Sequence, residues 1–101
     1  MQTDNYIETI LVSQLCTHYQ TDTVFFEKLQ EYGLITLVLD NNEPAIHLGR
    51  IGEVEKYIHL HYDLNINMEG LDAISHLLQK TSELKAEVDW LKNRLRQYEA
   101  I

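Results

Sequence analysis

The sequence predicts a mainly α domain carrying a small β-hairpin, followed by a long C-terminal helix of coiled-coil type. Three observations carry that expectation. Two short helical patterns flank the turn Thr21-Asp22-Thr23, a β-rich pattern brackets Asp40-Asn41-Asn42, and apolar residues repeat at alternating spacings of three and four from Ile74 to Tyr98. A chain of 101 residues suffices for one small domain with an appended helix, and the expected division is 1–66 for the domain and 67–101 for the helix. With frequent Leu, Ile and Tyr, one Pro and four Gly, wholesale disorder and a flexible linker are both excluded.

Residues Tyr6 to Val12 alternate loosely through Ile7, Thr9, Ile10 and Leu11, which suits a short strand, and Ser13 can cap the helix that follows. In that helix Leu15, Cys16 and Tyr19 recur at helical spacing. Thr21-Asp22-Thr23 supplies a turn and a second N-cap. The second helix then runs from about Thr23 to Tyr32, burying Phe26, Leu29 and Tyr32, and Gly33 stops it as a left-handed C-cap residue. This spacing is that of a helix-turn-helix. Leu34 to Leu39 reads as a strand, Asp40-Asn41-Asn42 as a turn, and Pro44 to Leu48 as the returning strand of a hairpin wing. A third helix is expected from Gly49 or Arg50 to Tyr62, with Ile51, Val54 and Ile58 on one stripe; Asp63 to Asn67 then breaks the pattern, and Asn67 can cap the last helix.

The last helix, Met68 to Tyr98, has the clearest period in the chain. Ile74, Thr81, Val88 and Leu95 occupy successive a positions, and Leu77, Leu84, Leu91 and Tyr98 the d positions. At the usual rise such a helix extends roughly 45 Å, beyond the reach of so small a body. The narrow seam therefore predicts a homodimer, with the polar Thr81 helping to set register. An intramolecular hairpin of the third and fourth helices is the competing arrangement, and Leu71 and Leu78 support it. Trp90 falls at the edge of the seam.

Charge decides which functions are open. The net charge is −8, and before Arg50 the chain holds seven carboxylates (Asp4, Glu8, Asp22, Glu27, Glu31, Asp40, Glu43) against Lys28 alone. A domain that grips nucleic acid needs cations for the phosphates, and anionic lipid repels this balance equally. Lys92, Arg94 and Arg96 form the one basic spot, offset by Glu87, Asp89 and Glu99 on the same helix. No apolar run reaches the length of a membrane span. Cys16 has no disulfide partner, and Asp4 and Glu8 stand where a signal peptide would be basic, so a cytoplasmic setting is expected.

Nothing in the sequence points to an enzyme, a cofactor or a metal. His59 and His61 fall on nearly opposite helix faces, His18, His47 and His76 on separate elements, and Cys16 reads as a small core residue. No phosphate loop, Gly-x-Ser-x-Gly turn or Ser/His/Asp set occurs.

The order of strand, helix-turn-helix, hairpin wing, helix and terminal coiled-coil helix resembles the MerR superfamily. More narrowly, Leu15-Cys16-Thr17-His18, Glu31-Tyr32-Gly33-Leu34-Ile35, Leu60-His61-Tyr62-Asp63-Leu64 and Leu84 through Tyr98 resemble the chaperone modulator CbpM family. That resemblance implies a protein that binds the J-domain of a DnaJ-type co-chaperone and blocks its work with Hsp70. Anchored on the shared Glu-x-Gly-Leu ending, two arginines of a typical MerR recognition helix align here with Val24 and Glu27, and the wing reads Asp-Asn-Asn-Glu-Pro without a cation.

J-domains, as a family, present a basic helix toward Hsp70, which an acidic and partly apolar face can engage. Successive helical residues project roughly 100° apart, so if Phe26 is buried, Phe25 and Val24 are left near the surface as anchors, ringed by Asp22, Glu27 and Glu31. Alternatively Phe25 covers the first helix. A MerR-like transcriptional regulator that binds DNA as a dimer is the rival function.

Overall fold

The computed structural model describes residues 8–99. The order is β1 (Thr9–Leu11), α1 (Val12–Tyr19), α2 (Thr23–Glu31), β2 (Val38–Asp40), β3 (Glu43–His47), a 3₁₀ turn (Leu48–Arg50), α3 (Ile51–Ile58), a π-helical turn (His59–Asp63) and α4 (Met68–Glu99). The described residues fall into two compact units, divided after Leu71. The architecture is a mainly α helix-turn-helix with a small wing and a long terminal helix, as the patterning predicts.

In the first unit β3 is the middle strand of a three-stranded antiparallel sheet, paired with β1 through Ile10 and Ile46 and with β2 through Val38 and Ala45. The wing turns on Asn41 and Asn42, both with positive φ (53° and 66°), as a two-residue type I′ hairpin requires. Beneath it lies one core. Val12 and Leu15 of α1, Phe25, Phe26 and Leu29 of α2, Ile46, Val54, Tyr57 and Ile58, and Met68 and Leu71 of α4 are buried together.

Several local boundaries differ from the expected ones. The predicted start of the first strand at Tyr6 and Ile7 lies outside the described residues. Its end comes at Leu11, and α1 begins at Val12 instead of after Ser13, because the Leu11 N–H is capped by Gln14 Oε1 at 3.1 Å and Val12 is drawn into the core. Leu34 to Leu37 do not pair in the sheet. The Leu34 N–H closes the end of α2 on the Leu29 carbonyl, Ile35 drops into the core, and the Leu37 N–H donates to Gln30 Oε1 at 2.7 Å, so a helix side chain takes the bond a neighbouring strand would have made.

The expected third helix is divided into a 3₁₀ turn, α3 and the π-turn. Its last turn widens where the Ile66 N–H bonds back to the Leu60 carbonyl and His61 Nδ1 lies 2.8 Å from the Ile66 carbonyl, with Asn65 left-handed between them. The capping expectations for Gly33, with φ of 74°, and for Asn67, whose Oδ1 accepts from the Gly70 N–H at 2.8 Å, match what is observed.

Candidate protein-docking face

Asp22 sits at the N-cap of α2 in extended conformation, and its Oδ1 accepts from the Phe25 N–H at 3.3 Å. That bond fixes the helix start and places a carboxylate at its edge. Phe25, Phe26 and Leu29 turn inward, leaving Thr23, Val24, Glu27, Lys28, Gln30 and Glu31 exposed. Residues 8–71 carry ten carboxylates against Lys28, Arg50 and Lys56. Arg50, the cation nearest the wing in sequence, is paired with Glu53 at 3.2 Å. At the wing tip Asp40 and Glu43 are exposed, and Asp40 accepts from the Thr9 hydroxyl at 2.9 Å.

Beside α2 the chain forms an open groove of about 510 Å³. Its floor is aromatic: Phe25 stacks on His61 with ring centres 4.9 Å apart, and Tyr62 meets Phe25 edge-on at 5.2 Å. The π-turn permits this, since it brings the adjacent rings of His61 and Tyr62 onto one neighbour. His61 is then held by its contact with the Ile66 carbonyl. At the other end the Tyr32 hydroxyl donates to Glu69 Oε2 at 2.8 Å, which holds the Glu69 carboxyl below the ordinary carboxylate range. Burial, and then the charge of Asp22, push the Tyr62 phenol above its usual value. Asp22, Glu31 and Glu69 rim the groove, with Lys28 as the cation among its lining residues.

The sequence-predicted contact residues are only partly gathered here. Asp22, Val24, Phe25 and Glu31 line the groove, whereas Glu27, though exposed, does not. Phe25 is not a surface anchor: at 4% exposure it is part of the core, covered by His61 and Tyr62 instead of covering the first helix alone. Tyr32, which the helical pattern assigns to the core, is exposed at the end of α2, and with His61, Tyr62 and Glu69 it joins the groove without having been singled out for it. Three of them, Tyr32, His61 and Tyr62, lie in the stretches that carry the family resemblance, but no sequence pattern announces the π-turn that brings His61 and Tyr62 together.

Along the second unit most of the expected seam is open to solvent among the described residues. Ile74 is half-buried, and Leu77, Thr81, Leu84, Val88, Leu91, Leu95 and Tyr98 are exposed. Trp90 is exposed too, with the Arg94 guanidinium 5.1 Å from its ring centre. Elsewhere the Tyr19 hydroxyl donates to Glu55, which raises the Tyr19 phenol's pKa. Among the described residues no cluster of three or more His, Cys, Asp or Glu could hold a metal ion, and no helix is long and apolar enough to cross a membrane.

No curated protein and no solved structure gives a significant match to the chain. A family model described as MerR HTH family regulatory protein matches residues 10–93, a span that takes in both helices of the helix-turn-helix, the wing, α3 and most of α4. With the helix-turn-helix, wing and long terminal helix all in place, the chain belongs to the MerR helix-turn-helix family of regulatory proteins.

Proposed function

We propose that this protein turns the MerR frame from DNA to protein: it binds the J-domain of a DnaJ-type co-chaperone through its acidic first unit and inhibits the co-chaperone's stimulation of Hsp70. One observation carries the reading. Val24 and Glu27, at the two positions aligned with DNA-reading arginines, both lie on the solvent face of α2, so this helix offers an apolar side chain and a carboxylate where phosphate and base contacts call for cations. A basic helix meeting this face gains from charge complementarity in association rate, and from the apolar centre in residence time.

The exposed seam of the second unit enters the proposal as the contact between two copies in a homodimer. Such a binding module needs no catalytic group and no cofactor, and its setting is the cytoplasm, where a lone thiol such as Cys16 stays reduced.

The family match is equally compatible with a second reading, a dimeric DNA-binding transcriptional regulator. The two part on simple measurements. Titrated into a J-domain-stimulated Hsp70 ATPase assay, the protein is expected to lower turnover to the basal rate, and a random duplex in low salt is expected not to shift in a gel. Undiminished ATPase together with salt-sensitive, sub-micromolar duplex binding would reject the first reading for the second.

A further inference from the structure

We propose that the groove between α2, the π-turn and the first turn of α4 is a socket for one basic side chain, an arginine or lysine on an amphipathic helix of the partner, whose charged head meets Glu31 and Glu69 while its stem lies along Tyr62 and Val24. This deepens the reading above and rests on it for the partner's identity, though not for the chemistry of the socket.

The lining itself selects the occupant. Three carboxylates, Asp22, Glu31 and Glu69, face one ammonium, Lys28, which forms no ion pair among the described residues. The groove is thus acidic, and an anionic ligand is repelled. Its walls are not merely polar. Tyr62 is 43% exposed and Val24 50%, so an occupant must cover apolar and aromatic surface and also present a cation. Arg and Lys do both, with aliphatic stems that lie on apolar surface and heads that reach water or carboxylate. A guanidinium over a tyrosine face gains cation–π attraction as well as charge-assisted hydrogen bonds. A volume of about 510 Å³ admits one such side chain with its flanking residues, not a second folded element.

The socket is also preorganised. Phe25 is wedged edge-on against Phe26 and stacked on His61, His61 is tied to the Ile66 carbonyl, and Tyr32 is tied to Glu69. Little rotamer freedom remains to be lost on binding. The π-turn that supplies two of the rings is an element found in proteins disproportionately at functional sites.

The test uses the full chain and two probes: a purified J-domain, and a synthetic amphipathic helix of Leu, Ala and Arg with a twin in which every Arg is Gln. Binding is followed by calorimetry and by backbone amide shifts of the labelled protein. Glu31→Gln with Glu69→Gln should weaken both the J-domain and the Arg peptide at least tenfold, and Tyr62→Leu by about fivefold. Glu27→Gln, an acid on the same helix outside the groove, should cost less than threefold. Both glutamates are exposed, so the double variant is expected to stay folded with only the modest loss of stability that weakening the Tyr32–Glu69 bond brings, and it carries the test should Tyr62→Leu unfold.

If the J-domain bound the double variant as tightly as wild type, the socket would be overturned and the proposed function would stand. If the J-domain bound neither form while the Arg peptide still moved the groove amides and lost affinity in the double variant, the socket would stand with a different basic partner. A Gln twin that bound as well as the Arg peptide, or no binding by either probe, would overturn it.

Discussion

Tyr32, the residue that closes α2, donates its hydroxyl hydrogen to the carboxylate of Glu69 in the first turn of α4 at 2.8 Å. The bond joins two elements far apart in sequence across one end of the groove. It favours the ionised form of Glu69, and so does the position of that residue near a helix N-terminus. The folded chain therefore binds this proton less readily than the unfolded chain. The stabilisation is complete at neutral pH, and it is lost as pH falls through the lowered folded-state value. Tyr32→Phe should raise the Glu69 titration midpoint toward that of an ordinary glutamate. The stability gap between variant and wild type should be widest at neutral pH and close in acid. Carboxyl-carbon NMR reads the midpoint directly, and an unmoved midpoint would rule the bond out as its cause.

Phe25 and Phe26 are neighbours in sequence and both are buried, the first at 4% exposure and the second at 0%. Phe26→Ala should cost about 3–5 kcal/mol of stability, as expected for a large side chain removed from a closed core. Phe25→Ala should also destabilise, by less, because one side of its pocket is the open groove. It follows that weakened partner binding by Phe25→Ala reports unfolding as much as contact, and Tyr62→Leu is the cleaner probe. Urea melts of the two variants decide the matter: a Phe25→Ala chain as stable as wild type would restore Phe25 as a surface anchor.

How far the fold could be read beforehand follows the same division. Gly33, the Asn41-Asn42 turn and the Asn67 cap were legible because each is a local rule tied to a residue's own backbone or side-chain chemistry. Of the two places open to Phe25, the surface one fails because helical periodicity gives the direction of a side chain and not what arrives to cover it. The cover comes from His61 and Tyr62, some thirty-five residues later, through a π-turn with no sequence signature. Likewise Leu34 to Leu37 have the β-rich composition of a strand, and the closing bond to Leu29, the burial of Ile35 and the bond to Gln30 divert them. The acidity of the first unit was plain from counting; the groove within it required the tertiary structure.

Two glycines of the first unit should respond to alanine with opposite sign. Gly33 has φ of +74° at the end of α2, where a Cβ finds open space but the backbone strains, so Gly33→Ala should destabilise by about 1–2 kcal/mol. Gly52 lies in α3 with nothing within 4 Å of a built Cβ. Gly52→Ala should stabilise by roughly 0.5–1 kcal/mol through helix propensity and a less flexible unfolded chain. Thermal melts of the pair test both signs. Equal shifts in one direction would contradict the conformational account.

The exposed strip of the second unit makes the last expectation the most consequential for assembly. Leu84 is 55% exposed and Leu91 52%, and with Val88 and Leu95 they form an unbroken stripe that a solitary helix leaves in water. Pairing two such stripes by knobs-into-holes packing removes it, so the protein should sediment as a dimer, and Leu84→Asp or Leu91→Asp should yield monomers by placing a charge in the seam. Thr81 sharpens the test. Its hydroxyl donates to the Leu77 carbonyl of its own helix at 2.8 Å, so it can enter the seam without leaving a polar group unpaired. Thr81→Val should therefore tighten the dimer without changing its stoichiometry, whereas a polar residue that specified register through a bond across the interface would give mixed oligomers on removal. Light scattering of the wild type at tens of micromolar comes first: a monomer there would leave the stripe to some other partner and withdraw the homodimer from the proposal.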